Sequence, residues 1–376
     1  MSASDAKRGT LPTQRLGAGT TVREALREDY PEPGSLLDGT YRIVEAIGEG
    51  GMGVVLRARD ERLDRDVAVK LIHPDQLLVP SARERFVAEA RAMARVRHPN
   101  VVEIHAFGEV RRAPYFVMEY VDGPDLERWL ARRREPPPLA QALQILEQAC
   151  RGVQAMHDAG LTHRDLKSSN LLIDAGLRVA VTDLGLARLV AARSGDRLVS
   201  GTPAYMAPEL VGGAAVDPAL APRVDVYSLG VIAFELLTGR MPFEGATARQ
   251  TLEQQLSMPP PAPRAIRPDL PPAFEDALLA ALEKRPGMRT SSAEALARSL
   301  AAAFRSTRRA DGAPFFVVAD DDPGLRSLVA TTLRKAYPDA RVEAVGDGAR
   351  ALALARSHPP SLVVSDLDMP ELNGVE

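Results

Sequence analysis

Three polar residues at fixed spacing stand directly before a short apolar run near the middle of the chain. Asp165, Lys167 and Asn170 occur within LTHRDLKSSN at 161–170, and Leu171–Ile173 follows. A carboxylate can accept the proton of an attacking hydroxyl, a lysine can neutralise a phosphoryl group in transfer, and an amide oxygen can bind a metal ion. The spacing therefore indicates phosphoryl-transfer chemistry. An ordinary polar loop between a helix and a hairpin is the alternative for this segment taken alone.

Composition and charge exclude several other classes of protein. The chain has 376 residues, of which 45% are hydrophobic and 26% charged, and its formal net charge is -3. That charge gives no reason to expect nucleic acid or a membrane surface as a partner. The single cysteine, Cys150, rules out a disulfide framework. We find no signal peptide and no apolar run long enough to span a bilayer, so we expect a cytoplasmic protein.

A glycine-rich turn joins the first two predicted strands. Tyr41–Ile47 and Val54–Arg59 have strand-like patterns, and between them Gly48, Gly50 and Gly53 follow the pattern G-x-G-x-x-G. A hairpin tip without side-chain bulk lets backbone amides approach phosphate oxygens. Dinucleotide-binding folds have the same glycine spacing, but they require a helix directly after the glycines. Because this sequence continues as a strand, the pattern favours a phosphate-covering hairpin.

A lysine and a glutamate are predicted on faces that are otherwise apolar. Alternation in the strand Val67–Ile72 places Lys70 beside small and apolar side chains. In the next predicted helix, Glu89 falls on the stripe that contains Phe86 and Met93. An unpaired charge is costly in either position, so pairing the two side chains is the simplest solution. A position at the rim is the alternative for Glu89.

The predicted secondary structure divides the chain into segments. Residues 1–40 are rich in Ser, Thr, Gly and Pro, and we expect a disordered lead-in. Strands dominate from 41 to 120 and helices from 121 to 304. We expect a linker at 305–314 and a second, shorter unit at 315–376.

Residues 41–304 resemble a complete eukaryotic-like bacterial Ser/Thr protein kinase domain. Six separated elements occur in the order of that family: the glycine turn, Val67–Lys70, Glu89, His163–Asn170, Asp183–Gly185 and Ala207–Glu209. Residues 161–170 are then the catalytic loop, H-R-D-L-x-x-x-N. Leu184 stands where the family usually has Phe, as a packing substitute. The resemblance implies an α+β two-lobed protein-kinase fold, with a β-rich N-lobe at 41–120 and an α-rich C-lobe at 121–304.

The resemblance also implies how catalysis would be divided among side chains. Asp165 would orient the substrate hydroxyl and take its proton, and Lys167 would stabilise the transferring phosphoryl group. Lys70, held by Glu89, would bind the α- and β-phosphates of ATP. The substrates would be serine and threonine hydroxyls of proteins.

The nucleotide and its Mg²⁺ would occupy the cleft between the lobes. Asn170 and Asp183 would hold the metal. The expected nucleotide contacts are Ile47, Gly48, Gly50, Gly53, Val55, Ala68, Lys70, Met118, Glu119, Val121 and Leu172. Within this set Met118 would be the gatekeeper, and the backbone at Glu119 and Val121 would bind adenine. Ala68 and Leu172 would sandwich the base.

Regulation is expected in the segment after the metal-binding motif. Arg164 is next to the catalytic base and suggests control by a phosphate in Leu186–Thr202, since an arginine there favours an anion. The candidate phosphorylation sites are Ser194, Ser200 and Thr202. The resemblance further implies a buried ion pair between Glu209 and Arg289 that anchors the substrate-binding segment.

The C-terminal unit alternates strands and helices and places acids at strand ends. The strand that begins at Phe315 leads into Asp320 and Asp321, and Leu362–Ser365 leads into Asp366. The carboxyl ends of parallel strands meet at one edge of a sheet, and three carboxylates there favour a hard cation such as Mg²⁺. This part is similar to the first half of a response-regulator receiver, a partial flavodoxin-like α/β fold (β-α-β-α-β). That likeness makes Asp320 and Asp321 magnesium ligands and Asp366 a phospho-acceptor.

The likeness to a receiver is incomplete. At 315–376 the unit is shorter than the roughly 100–150 residues of a usual domain, and the strands that would bring the receiver's Ser/Thr and Lys are absent. Either the chain is a fragment of a longer protein, which we favour, or this unit does not perform receiver chemistry. One acid of the run Asp320–Asp322 is expected to cap the following helix.

The sequence leaves two alternatives to an active kinase. A pseudokinase scaffold would bind ATP or partners without catalysis, and a two-component relay protein would act mainly through its receiver. Because all six catalytic elements are filled, we expect an active kinase. Its expected partners are protein substrates and a histidine kinase or small phosphodonor acting on the receiver.

Overall fold

The computed structural model describes residues 30–50, 53–72, 91–110, 113–183, 203–211, 216–310 and 314–369. Its first part is a six-stranded antiparallel sheet. The strands are β1 Leu36–Leu37, β2 Tyr41–Gly50, β3 Gly53–Asp60, β4 Arg65–Ile72, β5 Ile104–Val110 and β6 Ala113–Glu119. Their order in the sheet is β1-β2-β3-β4-β6-β5. Alternating side chains of β2, β3, β4 and β6 form one buried apolar cluster that includes Ile43, Leu56, Val69 and Val117. This sheet is the predicted N-lobe.

The end of the predicted lead-in needs correction. Residues 30–40 belong to the folded part, because β1 pairs with β2 and Leu37 is 2% exposed. Tyr115 also donates a hydrogen bond from its hydroxyl to Asp38. An apolar pair followed by a turn is enough to extend the sheet by a short strand. The expectation of disorder in residues 1–29 lies outside the described residues.

The C-lobe is helical and is built around one long apolar helix. Its elements are α1 Leu126–Ala131, α2 Leu139–Asp158, the hairpin β7 Leu171–Ile173 and β8 Val179–Val181, α3 Pro208–Val211, α4 Pro222–Thr238, α5 Ala248–Ser257, α6 Pro263–Ile266, α7 Pro272–Ala281 and α8 Ala293–Ala310. Nearly every residue of α4 is buried, because it is apolar on all sides. Gly230 lets α7 approach closely: a Cβ there would lie 2.9 Å from Cβ of Ala281. Gly239, with φ of 72°, ends the helix.

The predicted linker at 305–314 is also corrected. Helix α8 continues to Ala310 rather than ending near Phe304. The sequence from 293 to 310 is rich in alanine and arginine, both strong helix formers, and it contains no proline or glycine.

The C-terminal unit contains β9 Phe315–Ala319, α9 Pro323–Ala336, β10 Arg341–Val345, α10 Gly348–Ser357 and β11 Leu362–Ser365. Its strands form a three-stranded parallel sheet in the order β10-β9-β11. All of β9 is buried because it is the central strand, whereas β11 is largely exposed. The β-α-β-α-β order predicted for a partial receiver is confirmed.

Across the parts of the chain that the structure describes, every helix is either too short or too polar to cross a bilayer.

Candidate active site

One acidic residue of α4 holds the start of the catalytic loop. Asp225 accepts hydrogen bonds from the backbone N–H groups of His163 and Arg164, both at 2.7 Å, and lies 2.8 Å from Nε2 of His157. Asp225 is fully buried, so these donors provide the hydrogen bonds that a buried carboxylate requires. They also hold Arg164 in the left-handed region, with φ of 63°. The conformation of the loop is therefore enforced from α4.

The three residues of the central motif lie together at this loop. Lys167 Nζ is 3.8 Å from Asp165 Oδ2, and the Asn170 side-chain amide donates to the Asp165 backbone carbonyl at 2.8 Å. The Thr182 N–H donates to the carbonyl of Asn170 at 2.9 Å, which ties the loop to the end of β8. Because Asn170 uses its nitrogen for Asp165, its side-chain oxygen remains the group that suits a metal ion.

Lys70 and Asp183 meet across the cleft between the lobes. Lys70 lies in the middle of β4 and is 8% exposed, and its Nζ is 2.6 Å from Asp183 Oδ1. Burial by itself would raise the pKa of Asp183, but the charge and hydrogen bond of Lys70, with smaller contributions from His163 and Lys167, hold that pKa below its ordinary value. Asp183 is therefore ionised near neutral pH. The predicted partner of Lys70, Glu89, lies outside the described residues.

At Gly53, where the glycine turn ends, the backbones of β3 and β4 lie too close together for a side chain. Gly50 and Gly53 are paired at the tip of the β2–β3 hairpin, and a Cβ at Gly53 would lie 1.8 Å from the carbonyl oxygen of Leu71. Only glycine fits there. Gly48 and Val55 also pair in this hairpin.

The residues predicted to surround adenine lie close together between the two lobes. Val121 and the C-lobe residue Leu172 pack in one apolar cluster with Met118, and Ala68 pairs with Met118 in the β4–β6 register. Ile47 is 36% exposed at the edge of the glycine hairpin. The structure thus brings together the predicted gatekeeper and both sides of the predicted sandwich.

The hinge residue Glu119 is bonded to both lobes. Its backbone N–H donates to the Glu103 carbonyl at 2.8 Å, so this amide is not available to a base. Its carboxylate receives two hydrogen bonds from Arg178 in the β7–β8 hairpin, at 2.6 and 3.0 Å. The Arg178 Nε donates to the Pro99 carbonyl at 2.8 Å. One guanidinium therefore joins the C-lobe hairpin to two N-lobe segments.

The predicted ion pair between Glu209 and Arg289 is present in the structure. The Arg289 side chain is fully buried, and its two terminal nitrogens donate to the two Glu209 oxygens at 2.8 and 3.0 Å. It also donates to the carbonyls of Glu283, Arg223 and Lys284. A guanidinium with all its donors used suits a buried anchor between α3 and the segment after α7.

The C-terminal unit brings its three predicted acids to one edge. Ligand oxygens of Asp320, Asp321 and Asp366 all lie within 4.8 Å of one another, with Asp320 buried and the other two exposed. Asp322 caps α9 by accepting the Leu325 N–H at 2.8 Å, as expected of one acid in the run. The carboxylates offer the hard oxygen ligands that Mg²⁺ prefers.

Several predicted residues cannot be placed, and several functional residues were missed. Glu89 and the candidate phosphorylation sites Ser194, Ser200 and Thr202 lie outside the described residues. The kinase resemblance linked Ser168, together with Lys167, only to Ser/Thr specificity. No role was predicted for four other side chains that organise the site: His157, Arg178, Asp225 and Glu235. Only Asp225 and Glu235 could have been recognised from the sequence, because each is an acid inside an otherwise apolar helix and needs a hydrogen-bond donor there.

Comparison with known proteins gives matches to two domain families and to several kinases. The protein kinase domain family matches residues 41–300, and the response regulator receiver domain family matches residues 316–376. The serine/threonine-protein kinase PknA of Mycobacterium tuberculosis is 40% identical over 286 residues, covering 74% of this chain and 64% of PknA. The serine/threonine-protein kinase pkn3 of Myxococcus xanthus is 38% identical, with coverage of 73% and 52%. This chain thus spans less than two thirds of either relative.

A solved structure of a kinase domain has a similar fold. The crystal structure of the PknI kinase domain of Mycobacterium tuberculosis superposes with a TM-score of 0.59 at 28% identity, covering 73% of this chain and 99% of that one. The family match covers more than half of the chain and includes Lys70, the catalytic loop and Asp183. This chain therefore belongs to the protein kinase domain family.

Proposed function

We propose that this protein is an active serine/threonine kinase that transfers the γ-phosphate of ATP to protein hydroxyls with the help of Mg²⁺. The observation that carries the proposal is the convergence of five residues from three separate parts of the sequence. Lys70 lies 2.6 Å from Asp183, Lys167 lies 3.8 Å from Asp165, and Asn170 bonds the backbone of that same aspartate. The relatives named as serine/threonine-protein kinases support the same activity.

In this proposal each side chain has one task. Asp165 accepts the proton of the attacking hydroxyl, and Lys167 offsets negative charge on the phosphoryl group as it moves. Lys70 contacts the α- and β-phosphates once the nucleotide separates it from Asp183. The oxygens of Asn170 and Asp183 fit Mg²⁺, which when bound neutralises phosphate charge. Catalysis is then mainly alignment of donor and acceptor.

The proposed adenine site lies between the lobes. Ala68 and Leu172 bound the base on its two faces, Met118 limits the depth of the pocket, and the backbone near Val121 supplies hydrogen bonds. Apolar packing of Met118, Val121 and Leu172 supports this assignment. The glycine hairpin covers the phosphates.

The decisive experiment measures phosphate transfer from labelled ATP to the chain itself and to casein. We expect transfer by the wild type, and a loss of at least about 10²-fold in Asp165→Asn, since that variant cannot accept the proton. ATP binding without any transfer by the wild type would favour the pseudokinase alternative.

We further propose that a phosphate between Leu186 and Thr202 activates the enzyme by binding Arg164. The Arg164 side chain is exposed beside the catalytic base, and among the described residues no carboxylate pairs with it. The proposed acceptors are Ser194, Ser200 and Thr202. Mass spectrometry of fully active enzyme should find one of them phosphorylated, and fully active enzyme without phosphate in this segment would contradict the proposal.

A second function is proposed for the C-terminal unit because its three acids converge. Asp320 and Asp321 would hold Mg²⁺, and Asp366 would accept phosphate from a histidine kinase or a small phosphodonor. The test is mass-spectrometric detection of phosphate on Asp366 after treatment with acetyl phosphate and Mg²⁺, with Asp366→Asn as control. Extending the chain with a complete receiver sequence should increase labelling, and equal labelling of both proteins would mean that 315–376 suffices.

A further inference from the structure

Two hydroxyl groups from different parts of the active site meet on one carboxylate oxygen. Ser168 Oγ donates to Glu235 Oε2 at 2.5 Å, and the Tyr205 hydroxyl donates to the same oxygen at 2.9 Å. Ser168 lies in the catalytic loop between Lys167 and Asn170, whereas Tyr205 lies in the segment that leads into α3. Glu235 belongs to α4. A single oxygen of α4 therefore links the catalytic loop to the segment that follows the proposed phosphorylation sites.

The carboxylate of Glu235 depends on these two donors. Ser168 is fully buried and Tyr205 is 9% exposed, so both hydroxyls are largely shielded from water. Burial raises the pKa of Glu235, the two hydroxyls oppose that shift, and the one charged neighbour that contributes is another acid, Glu127. No cation among the described residues contributes to stabilising the charge. The position of each hydroxyl is thus tied to the other through a shared acceptor.

Helix α4 holds the catalytic loop at two points. Asp225 bonds the backbone where the loop begins, at His163 and Arg164, and Glu235 bonds Ser168 near its end. The two acids are ten residues apart in a helix, which corresponds to about 15 Å. Asp165 and Lys167 lie between these two attachments. Removing the Ser168 hydroxyl breaks the bond to Glu235, while the Asp225 attachment and the backbone hydrogen bonds of Asn170 with Lys167 and Thr182 stay in place.

The same helix also holds the second segment. Ser228 Oγ donates to the backbone carbonyl of Tyr205 at 2.9 Å, in addition to the contact between Tyr205 and Glu235. The catalytic loop and the Tyr205 segment are therefore positioned in one common frame. Small displacements between a base and the group it serves are costly, because a shift of about 1 Å can reduce rate by about 10²-fold.

We propose that Ser168 is a positioning residue for phosphate transfer to protein hydroxyls. Its hydrogen bond to Glu235, shared with Tyr205, keeps the catalytic loop in register with the segment that leads to Glu209, which the kinase resemblance gives as the substrate-binding segment. The inference rests on the proposed kinase activity and deepens it. The proposed bond aligns the acceptor hydroxyl of the protein substrate. Its loss should therefore slow phosphate transfer to protein more than the slow hydrolysis of ATP by water.

The test compares two reactions of the full 376-residue chain. Phosphate transfer from ATP to casein and hydrolysis of ATP without an acceptor protein are measured for the wild type and for Ser168→Ala. Loss of a hydrogen bond to a charged group should reduce transfer to casein about tenfold. Hydrolysis by water, which needs no presented side chain, should change less than about twofold.

The neighbouring serine provides a matched control. Ser169 has the same side chain one position further along the loop, and its hydroxyl has no hydrogen-bond partner among the described residues. Ser169→Ala should therefore resemble the wild type in both reactions. Tyr205→Phe removes the second hydroxyl without changing any residue of the catalytic loop. It should also lower transfer to casein more than it lowers ATP hydrolysis. Because both hydroxyls share one oxygen, the double variant should lose less than the product of the single effects.

The possible results separate the inference from the proposed function. A parallel fall of transfer and hydrolysis in Ser168→Ala would overturn the inference, since the hydroxyl would then support the loop in general. Independent, multiplicative effects of Ser168→Ala and Tyr205→Phe would also overturn it. A wild-type chain that hydrolyses no ATP and transfers no phosphate would instead refute the kinase activity.

Discussion

Lys70 and Asp183 are bonded directly across the cleft, with 2.6 Å between the lysine nitrogen and Oδ1 of the aspartate. The first residue comes from the middle of the N-lobe sheet and the second follows β8 of the C-lobe. In the proposed function Lys70 binds the α- and β-phosphates and Asp183 binds Mg²⁺, so the pair lies where phosphates and metal would enter. It also joins the two lobes in the structure.

Replacing Lys70 by Met should abolish phosphate transfer while the chain stays folded. The methionine keeps most of the length of the side chain but removes the charge that would contact the phosphates, so we expect a loss of at least about 10²-fold in kcat. Transfer from labelled ATP and thermal unfolding are the two measurements. Lys335→Met, at an exposed position of α9, is the control and should leave transfer intact. Turnover like the wild type in Lys70→Met would falsify the assignment.

Replacing Glu235 by Gln should make the protein more stable at pH 7.5, and this gain should disappear in acid. Burial raises the pKa of Glu235 above its ordinary 4.5, against the opposing hydrogen bonds of Ser168 and Tyr205. Between pH 4.5 and the raised value the folded state holds more protons than the unfolded state, so this group's contribution to stability falls as pH rises. Below that window both states are protonated, and glutamate behaves like the neutral amide.

The pH dependence can be checked by the difference in Tm between Glu235→Gln and the wild type from pH 4.5 to 8. The difference should be positive at the upper end and approach zero at the lower end. Glu244→Gln, at an exposed acid of the same lobe, provides the control for the loss of one negative charge. A Glu235→Gln variant less stable than the wild type at pH 7.5 would contradict the prediction.

Removing the buried guanidinium of Arg289 should destabilise the C-lobe strongly. Arg289→Ala leaves the Glu209 carboxylate, which is 14% exposed, without its bidentate partner. Loss of one member of a buried pair costs about 3–5 kcal/mol in the free energy of unfolding. Urea unfolding measures the effect. Arg298→Ala breaks an exposed pair with Glu294, with side chains 65% and 62% exposed, and should cost no more than about 0.5 kcal/mol.

The contact between Arg178 and Glu119 should limit local opening at the hinge. Arg178→Met removes two hydrogen bonds to the carboxylate and one to the Pro99 carbonyl. We expect amide hydrogen exchange in residues 117–121 to accelerate roughly three- to tenfold, as for the loss of about 1 kcal/mol, while exchange in α4 stays unchanged. Arg249→Met, in an exposed pair on α5, is the control. Equal acceleration in hinge and α4 would point to general destabilisation.

Local pattern was sufficient to predict most elements and most of the chemistry. The strand Leu362–Ser365 was predicted with its observed bounds, because a short apolar run between turns is a local signal. The roles of Asp165, Lys167 and Asn170 depend on residue type and close spacing, so they too could be inferred. Helix α8 runs past its predicted end near Phe304 because the sequence through Ala310 contains no proline or glycine.

The tertiary structure decided which side chains hold these motifs in place. Asp225 meets His163 across 62 positions, Glu235 meets Ser168 across 67, and Arg178 meets Glu119 across 59. No local propensity records such pairs, since each forms only when α4 or the β7–β8 hairpin packs against its neighbours. An acid in an apolar segment of the sequence indicates that a hydrogen-bond donor must lie beside it, but only the packing of the elements determines which donor that is. The reactive groups are thus visible in the sequence, whereas their alignment is a property of the folded core.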